Sequence, residues 1–386
     1  MRRIALPLVV VAGLVWILAG CTWWLTPSIT VSPNAGAVHT LVTIRGEGFG
    51  NTQGESTVSI WATHAPIVSW SDTEIVCRVP VIPTPDGLPV DTSLMVTIRG
   101  SDFDYFDTPF TVVRGILFST NREGDLEIYV MNPDGSGQAN LSFNYAEDSE
   151  PCWSPDGTQI VFETRVGTDA PSLRLMNADG SQRTVLTDNP LHYEETPRWA
   201  PGGSRILYAS ELAPPQQLFT IRPDATGMSQ VTDFNVVGVF DPAWSPDGSQ
   251  IVCAVADGFQ ETDTRLVKMN ADGTGAVYLT SSGNGDSMPS WSPDGQWIVF
   301  SRLRPGGGNM LMVIRPDGTE EAELTGPGVG LAMHPSWSPN GLAIVFYGYL
   351  GDQRQAADIF LIDLEEEAVH QLTNDPSIDA DPYWGS

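Results

Sequence analysis

The chain has 386 residues, 41% of them hydrophobic and 17% charged, enough apolar material for more than one packed core. Asp and Glu number 47 against 19 Lys and Arg, giving a formal charge of −28, and Lys268 is the single lysine. So acidic a surface repels phosphate backbones and anionic headgroups, which excludes nucleic acid as a partner and leaves solubility, divalent cations or a basic protein patch.

Met1-Arg2-Arg3 is a basic start, and Ile4 to Ala19 is almost unbroken apolar sequence, shorter than a stable span, so residues 1–20 read as a secretory signal. Leu18-Ala19-Gly20 sets small residues before Cys21. That resembles the bacterial lipobox. The resemblance implies cleavage before Cys21, diacylglycerol on its thiol, residues 21–26 as a short tether, and a mature charge of −30, because Arg2 and Arg3 leave with no acid. Thr22 in place of Asp resembles outer-membrane sorting. The protein is therefore expected to be exported and lipid-anchored in the cell envelope, facing the periplasm where two membranes exist. The competing reading is an uncleaved anchor helix with an incidental cysteine.

Residues 27–114 hold short β-branched runs separated by Gly and Pro: Ile29-Thr30-Val31, Leu41 to Ile44, Thr57 to Ile60, Glu74 to Val76, Leu94 to Ile98 and Phe110 to Val113. Strands at this spacing predict an antiparallel sandwich. The order Pro27-Ser28-Ile29, Ser32-Pro33-Asn34-Ala35-Gly36, Val42 to Gly50 and Val79-Pro80 resembles the IPT/TIG immunoglobulin-like domain. Gly46-x-Gly48-x-Gly50 is not a nucleotide loop, since no helix-forming segment comes after it to hold a phosphate. The sandwich reads as a spacer that lifts the C-terminal region off the bilayer.

From residue 115 onward a repeat dominates. Pro-x-Trp occurs at Trp153, Trp199, Trp244, Trp291, Trp337 and Trp384, at steps of 46, 45, 47, 46 and 47 residues. An interval near 40–45 residues is that of a four-stranded propeller blade. Within Pro289 to Thr325, Ser292-Pro293-Asp294-Gly295 is a turn, Trp297 to Phe300 a strand buried on both faces, Met310 to Ile314 a third strand, and Glu323-Leu324-Thr325 a short outer one. The other units align with it. Gly115 to Ser142 holds three strands without a Pro-x-Trp before them, and Pro382 to Ser386 is a first strand with nothing after it. Each supplies what the other lacks. The expected fold is therefore all-β: an Ig-like sandwich followed, over residues 115–386, by a six-bladed propeller closed by the C-terminal strand. Cys77, Cys152 and Cys253 are expected as free, buried thiols.

The repeated "PxWSPDGxxIVF…LMNADG…LT" is similar to the WD-like repeat of the TolB family, the periplasmic protein of the Tol–Pal system, over about 70% of the chain. The small α/β domain that TolB proteins carry ahead of the propeller has no counterpart here, so Pal binding is not carried over. The family implies that partners dock at the opening of the ring.

The two Pro/Asp/Gly turns of each blade leave by one end of the ring. The blade-to-blade crossings and the second-to-third loops leave by the other, and they vary in length and charge. This crossing end is the expected partner-binding face. Its candidates are Glu150, Glu194, Glu195, Asp241, Asp286, Asp379 and Asp381 from the crossings and Arg302 and Arg304 from the loops. Arg198 and Tyr383 replace small residues before the Trp, His334 takes the slot of Glu150, Asp241 and Asp381, and all three are expected at the central opening. Polar side chains satisfied by neighbouring acids are the plainer reading of these three. The partner is expected to be another envelope protein, the alternative being a carbohydrate-active or ligand-sensing propeller.

No catalytic residues are assigned. There is no Gly-x-Ser-x-Gly elbow, and of five histidines only His192 and His334 fall near a channel, too few for an imidazole-based metal site. No cofactor is expected. Asp102, Asp104 and Asp107 offer carboxylates to calcium but lack the Gly and closing Glu of a calcium loop.

Overall fold

In the computed structural model the described residues are 29–82, 90–99, 105–212, 214–326, 328–351 and 356–385. The signal sequence, Cys21, Asp102 and Asp104 lie outside them.

The N-terminal unit is two packed sheets. One orders Thr30–Ser32, Leu41–Arg45, Glu74–Arg78 and Ile67–Trp70; the other orders Ala35–Gly36, Tyr105–Val112, Val90–Thr97, Thr57–Ile60 and Thr63–His64. Alternation puts Val42, Ile44, Ile75 and Cys77 from the first sheet against Val58, Ile60, Leu94, Val96 and Phe110 from the second. The sandwich is not wholly antiparallel as expected, because Ala35–Gly36 runs parallel to Thr111 and Val112. Three further short strands are present, Ala35–Gly36, Thr63–His64 and Ile67–Trp70, of which the first two are too short to hold a β-branched run.

The propeller has six four-stranded sheets. Blade 1 is built from Ile116–Thr120, Glu127–Met131 and Ala139–Asn140, with Asp379–Tyr383 as its innermost strand. Leu117 faces Tyr383 and Thr120 faces Asp379 in that pairing, which closes the ring. Blades 2 to 6 span residues 147–185, 194–230, 238–278, 286–323 and 329–371.

The repeat letters have local causes. In Ser154-Pro155-Asp156-Gly157 the Gly N–H donates to the Ser carbonyl (2.9 Å), the Ser hydroxyl donates to Asp156 Oδ1 (2.6 Å), and Gln159 N–H donates back to the Ser hydroxyl (2.9 Å). Ser245, Ser292 and Ser338 repeat this. A hydroxyl two residues past each outer strand accepts an N–H from the first half of the third strand, as Thr187 does from Leu173 (2.8 Å) and Ser142 from Ile128 (2.8 Å). Gly180 has a φ of +77°, and a Cβ there would strike the carbonyl of Leu141 in the preceding blade, so both the turn and the blade contact require glycine. Cys77, Cys152 and Cys253 are free and buried.

The sandwich is packed on the turn end of blades 1 and 2. Asn132 Oδ1 accepts from Ala37 N (2.9 Å) and Thr40 Oγ1 (2.8 Å), and the Arg114 guanidinium donates to the carbonyls of Ser154 (3.3 Å) and Pro155 (2.8 Å). Val38 and Val81 pack on the core formed between these two blades.

Candidate functional site

Every inner strand slips register against its neighbour at the residue three before the Trp, and that of blade 6 slips a second time between Val329 and Leu331. The residue three before the Trp is left-handed in all six blades: Glu150 (φ 51°), Thr196 (51°), Asp241 (50°), Met288 (53°), His334 (47°) and Asp381 (50°). Positive φ is uncommon for side chains with a Cβ and costs about 1–3 kcal/mol each. Six equivalent bulges are a built feature. They turn these side chains toward the axis, where ligand atoms of Glu150, His334 and Asp381 meet within 4.8 Å of one another.

Charge on this ring is uneven. Arg198 Nη2 lies 3.1 Å from Glu150 Oε2, and its guanidinium stands 5.7 Å from the centre of the Tyr383 ring. His334 Nδ1 approaches Glu150 Oε1 (3.3 Å) and Asp381 Oδ1 (3.8 Å). Asp241 Oδ2 accepts from the Met288 N–H (3.1 Å). Burial works against the Glu150 carboxylate, but His334 and Arg198 together hold it below its ordinary value. Burial, then the Glu150 charge, pushes Asp381 up to about 6. Burial likewise raises Asp241, and it raises Glu163 well above the usual range, with Glu150, Glu195 and Asp381 adding to the latter. Two carboxylates and one imidazole could ligate a divalent ion, although Arg198 already engages Glu150.

A carboxyl raised in the folded state binds protons there that the unfolded chain has lost. For Asp381 the resulting stability is full below the unfolded value near 3.8 and disappears as pH rises through about 6. Asp381→Asn is therefore expected to melt above the native protein at pH 7, the gap narrowing as pH falls to about 4. Parallel melts across that range check it, and a gap independent of pH would count against an under-neutralised Asp381.

Toward the turn end the channel opens into a funnel. Pro and Trp of the repeat form its wall, and Arg198, Asp241, His334, Asp381 and Tyr383 lie at its base. Arg198, Tyr383 and His334 are thus at the central opening, as the sequence predicts, and the structure gathers Glu150, Asp241 and Asp381 with them.

The other rim candidates divide. Glu194, Asp286, Arg302 and Asp379 are buried, which corrects their placement on an exposed rim. Asp286 holds Arg302 (2.6 and 2.9 Å), and Asp379 holds Arg122 (3.0 and 3.1 Å). Their position, five before the Trp, is also filled by Val239 and Ala332, so the slot faces the blade core. Glu195 is half-buried on Gln216 (3.1 Å), and Arg304 reaches Glu323 (3.1 Å) and the Val329 carbonyl (2.9 Å). Asp107 is exposed in the sandwich.

Sequence reasoning missed Thr196 and Met288 as ring members, and Arg122 as the partner of Asp379. Counting back three residues from each Trp would have found the first two; only the pairing of the two chain ends reveals the third. The crossing end also carries exposed apolar side chains. Phe143, Tyr145, Val166, Leu191, Tyr193, Phe259, Leu350 and Ile378 are exposed on its loops, against Met228 and Leu342 at the turn end. Hydrogen bonds from Ala170 N to the Pro190 carbonyl (3.3 Å) and from Glu211 N to the Tyr193 carbonyl (3.1 Å) draw neighbouring loops together there.

Two packed β domains, one a closed ring around an axial channel, define the molecule as a β-propeller carrying an Ig-like module. Residues 164–339 match the family model described as TolB beta propeller domain, and residues 27–112 match that of the IPT/TIG domain. The chain is a TolB-like PD40 β-propeller protein with an N-terminal IPT/TIG domain. It is 26% identical over 217 residues to the Tol-Pal system protein TolB of Francisella tularensis subsp. mediasiatica, covering 55% of this chain and 48% of that one. The uncharacterized peptidase YuxL of Bacillus subtilis is 25% identical over 174 residues, covering 45% of this chain and 24% of its own. The matches thus span half or less of these relatives' own lengths. Among solved structures, TolB from Acinetobacter baumannii superposes with a TM-score of 0.62 at 14% identity, over 79% of this chain and 81% of that one, a likeness of fold.

Proposed function

We propose that the protein is a non-catalytic, protein-binding scaffold of the bacterial cell envelope, tethered by lipid on Cys21, whose crossing end docks another envelope protein. The observation that carries this is the exposed apolar set at that end, with Tyr145 98% and Phe259 91% exposed on a rigid ring. Aromatic side chains held out on loops over a stiff scaffold are the usual anchors of protein interfaces. Likeness to Tol-Pal system proteins supports the envelope setting. Because the sandwich is packed on the turn end, an anchor ahead of it leaves the crossing end facing away from the bilayer. Acidic side chains around the patch, Glu147, Asp169 and Asp188 among them, favour a basic partner.

Pull-down from detergent-solubilised envelopes tests the reading. A stoichiometric protein, lost with Tyr145→Ser and Leu191→Ser together, is expected; retention or turnover of glycans in its place would favour the carbohydrate-active alternative. Separately, Cys21→Ser should free the protein from membranes or leave an unprocessed precursor, and normal palmitate labelling of that variant would overturn the anchor.

A further inference from the structure

We propose that Glu150, His334 and Asp381 form a site for a divalent first-row transition ion, which ties the closing strand to the blades on either side of it. The three residues come from blades 2, 6 and 1, which are neighbours in the closed ring, and Asp381 lies on the C-terminal strand itself. Their ligand atoms meet. His334 Nδ1 is 3.3 Å from Glu150 Oε1 and 3.8 Å from Asp381 Oδ1, and the three atoms all lie within 4.8 Å of one another. An ion about 2.0–2.2 Å from each of three such atoms sets them roughly 3–4 Å apart, so small side-chain rotations close the shell. Arg198 takes the other oxygen of Glu150, Oε2, at 3.1 Å and leaves Oε1 to the ion.

Glu163 supplies an independent observation. It pairs across the strands with Ser149, the residue before Glu150, and is 9% exposed. Its carboxyl makes no hydrogen bond or ion pair among the described residues. The carboxylates of Glu150, Glu195 and Asp381 act on it more strongly than the cation of Arg165, which is turned to Glu147 at 3.5 Å. Buried acids are paired or sit beside metal ions, and an ion held by Glu150 and Asp381 supplies the positive charge that Glu163 lacks. Tyr347 packs on the imidazole, 5.5 Å between ring centres, and fixes its plane as an outer partner of a metal ligand does. One imidazole nitrogen with carboxylate oxygens suits zinc, cobalt or manganese; calcium and magnesium take oxygen alone.

Cobalt(II) titration of the chelator-treated full chain, followed by visible absorption and by melting, tests the site. One equivalent is expected to bind with the bands of a nitrogen–oxygen site, and zinc to displace it. Glu163→Gln, which keeps all three ligands, should weaken uptake roughly ten-fold, and His334→Ala or Asp381→Asn should weaken it further. Saturating zinc should raise the melting temperature of the native chain by several degrees, a gain absent from Asp381→Asn. His192→Ala, which removes the other histidine near the channel, should leave uptake unchanged. If a ligand variant fails to fold, Glu163→Gln and the cobalt spectrum of the native chain still decide the matter. No saturable uptake, uptake indifferent to His334→Ala and Glu163→Gln alike, or calcium bound as tightly as zinc would overturn the proposal.

Discussion

Deleting residues 379–386 is expected to abolish the cooperative melting of the propeller, and Trp384→Ala alone to lower its melting temperature by roughly 10 °C. The innermost strand of blade 1 is Asp379–Tyr383, from the far end of the chain, and it pairs with Ile116–Thr120. Trp384 comes next and enters the core between blades 6 and 1, beside Ile116, Phe118, Val345 and Ile359. Its indole N–H donates to the Arg114 carbonyl (3.1 Å) and its backbone N–H donates to Ser336 Oγ (3.0 Å), so one residue links the tail, the interdomain strap and blade 6. Truncating a buried Trp typically costs about 3–5 kcal/mol. Full deletion goes further, since it strips blade 1 of a strand and leaves Arg122 without its Asp379 partner. Calorimetry reads both variants, with the sandwich as an internal standard. A propeller transition that survives the deletion unchanged would show that the ring does not depend on its closure.

The blade architecture was legible because it is written in spacing. Each Trp marks one inner strand, each Ser-Pro-Asp-Gly one turn whose hydrogen bonds need those side chains, and each Leu-Thr one hydroxyl that accepts a backbone N–H. The two incomplete units at residues 115–142 and 382–386 foretold the closure for the same reason. The site was legible only in part. Arg198, His334 and Tyr383 stood out as departures from the repeat, and departures are visible in an alignment of a chain with itself. The burial of Glu194, Asp286, Arg302 and Asp379 was not, because charge in a variable crossing reads as surface unless the partner is known, and Arg122 lies 257 residues from Asp379. The slot of Glu150, Asp241, His334 and Asp381 was visible in sequence, but Thr196 and Met288 share no chemistry with those four, only a backbone conformation.

Blade 4 shows how the buried acid of blade 5 should be tested. Asp286 pairs across the strands with Arg302, and the equivalent positions in blade 4 are Val239 and Val255, both fully buried. Asp286 is 0% exposed and takes two hydrogen bonds from Arg302, whose guanidinium also reaches Glu321 Oε2 at 3.1 Å. Those partners outweigh burial and hold the Arg302 guanidinium above its ordinary value, so it stays charged whatever is done to Asp286 at neutral pH. Asp286→Val should therefore cost about 3–5 kcal/mol, because it leaves that charge beside an apolar wall with only a half-exposed glutamate to answer it. Adding Arg302→Val should return most of the loss, since the pair then copies the apolar solution that blade 4 already uses, and exchanging a buried ion pair for packed hydrophobes is often neutral or stabilising. Denaturant melts of the two single variants and the double variant close the cycle. If the double variant were as unstable as Asp286→Val alone, the slot would need the ion pair itself, and Asp286 would have to be reconsidered as more than a strut beneath the crossing end.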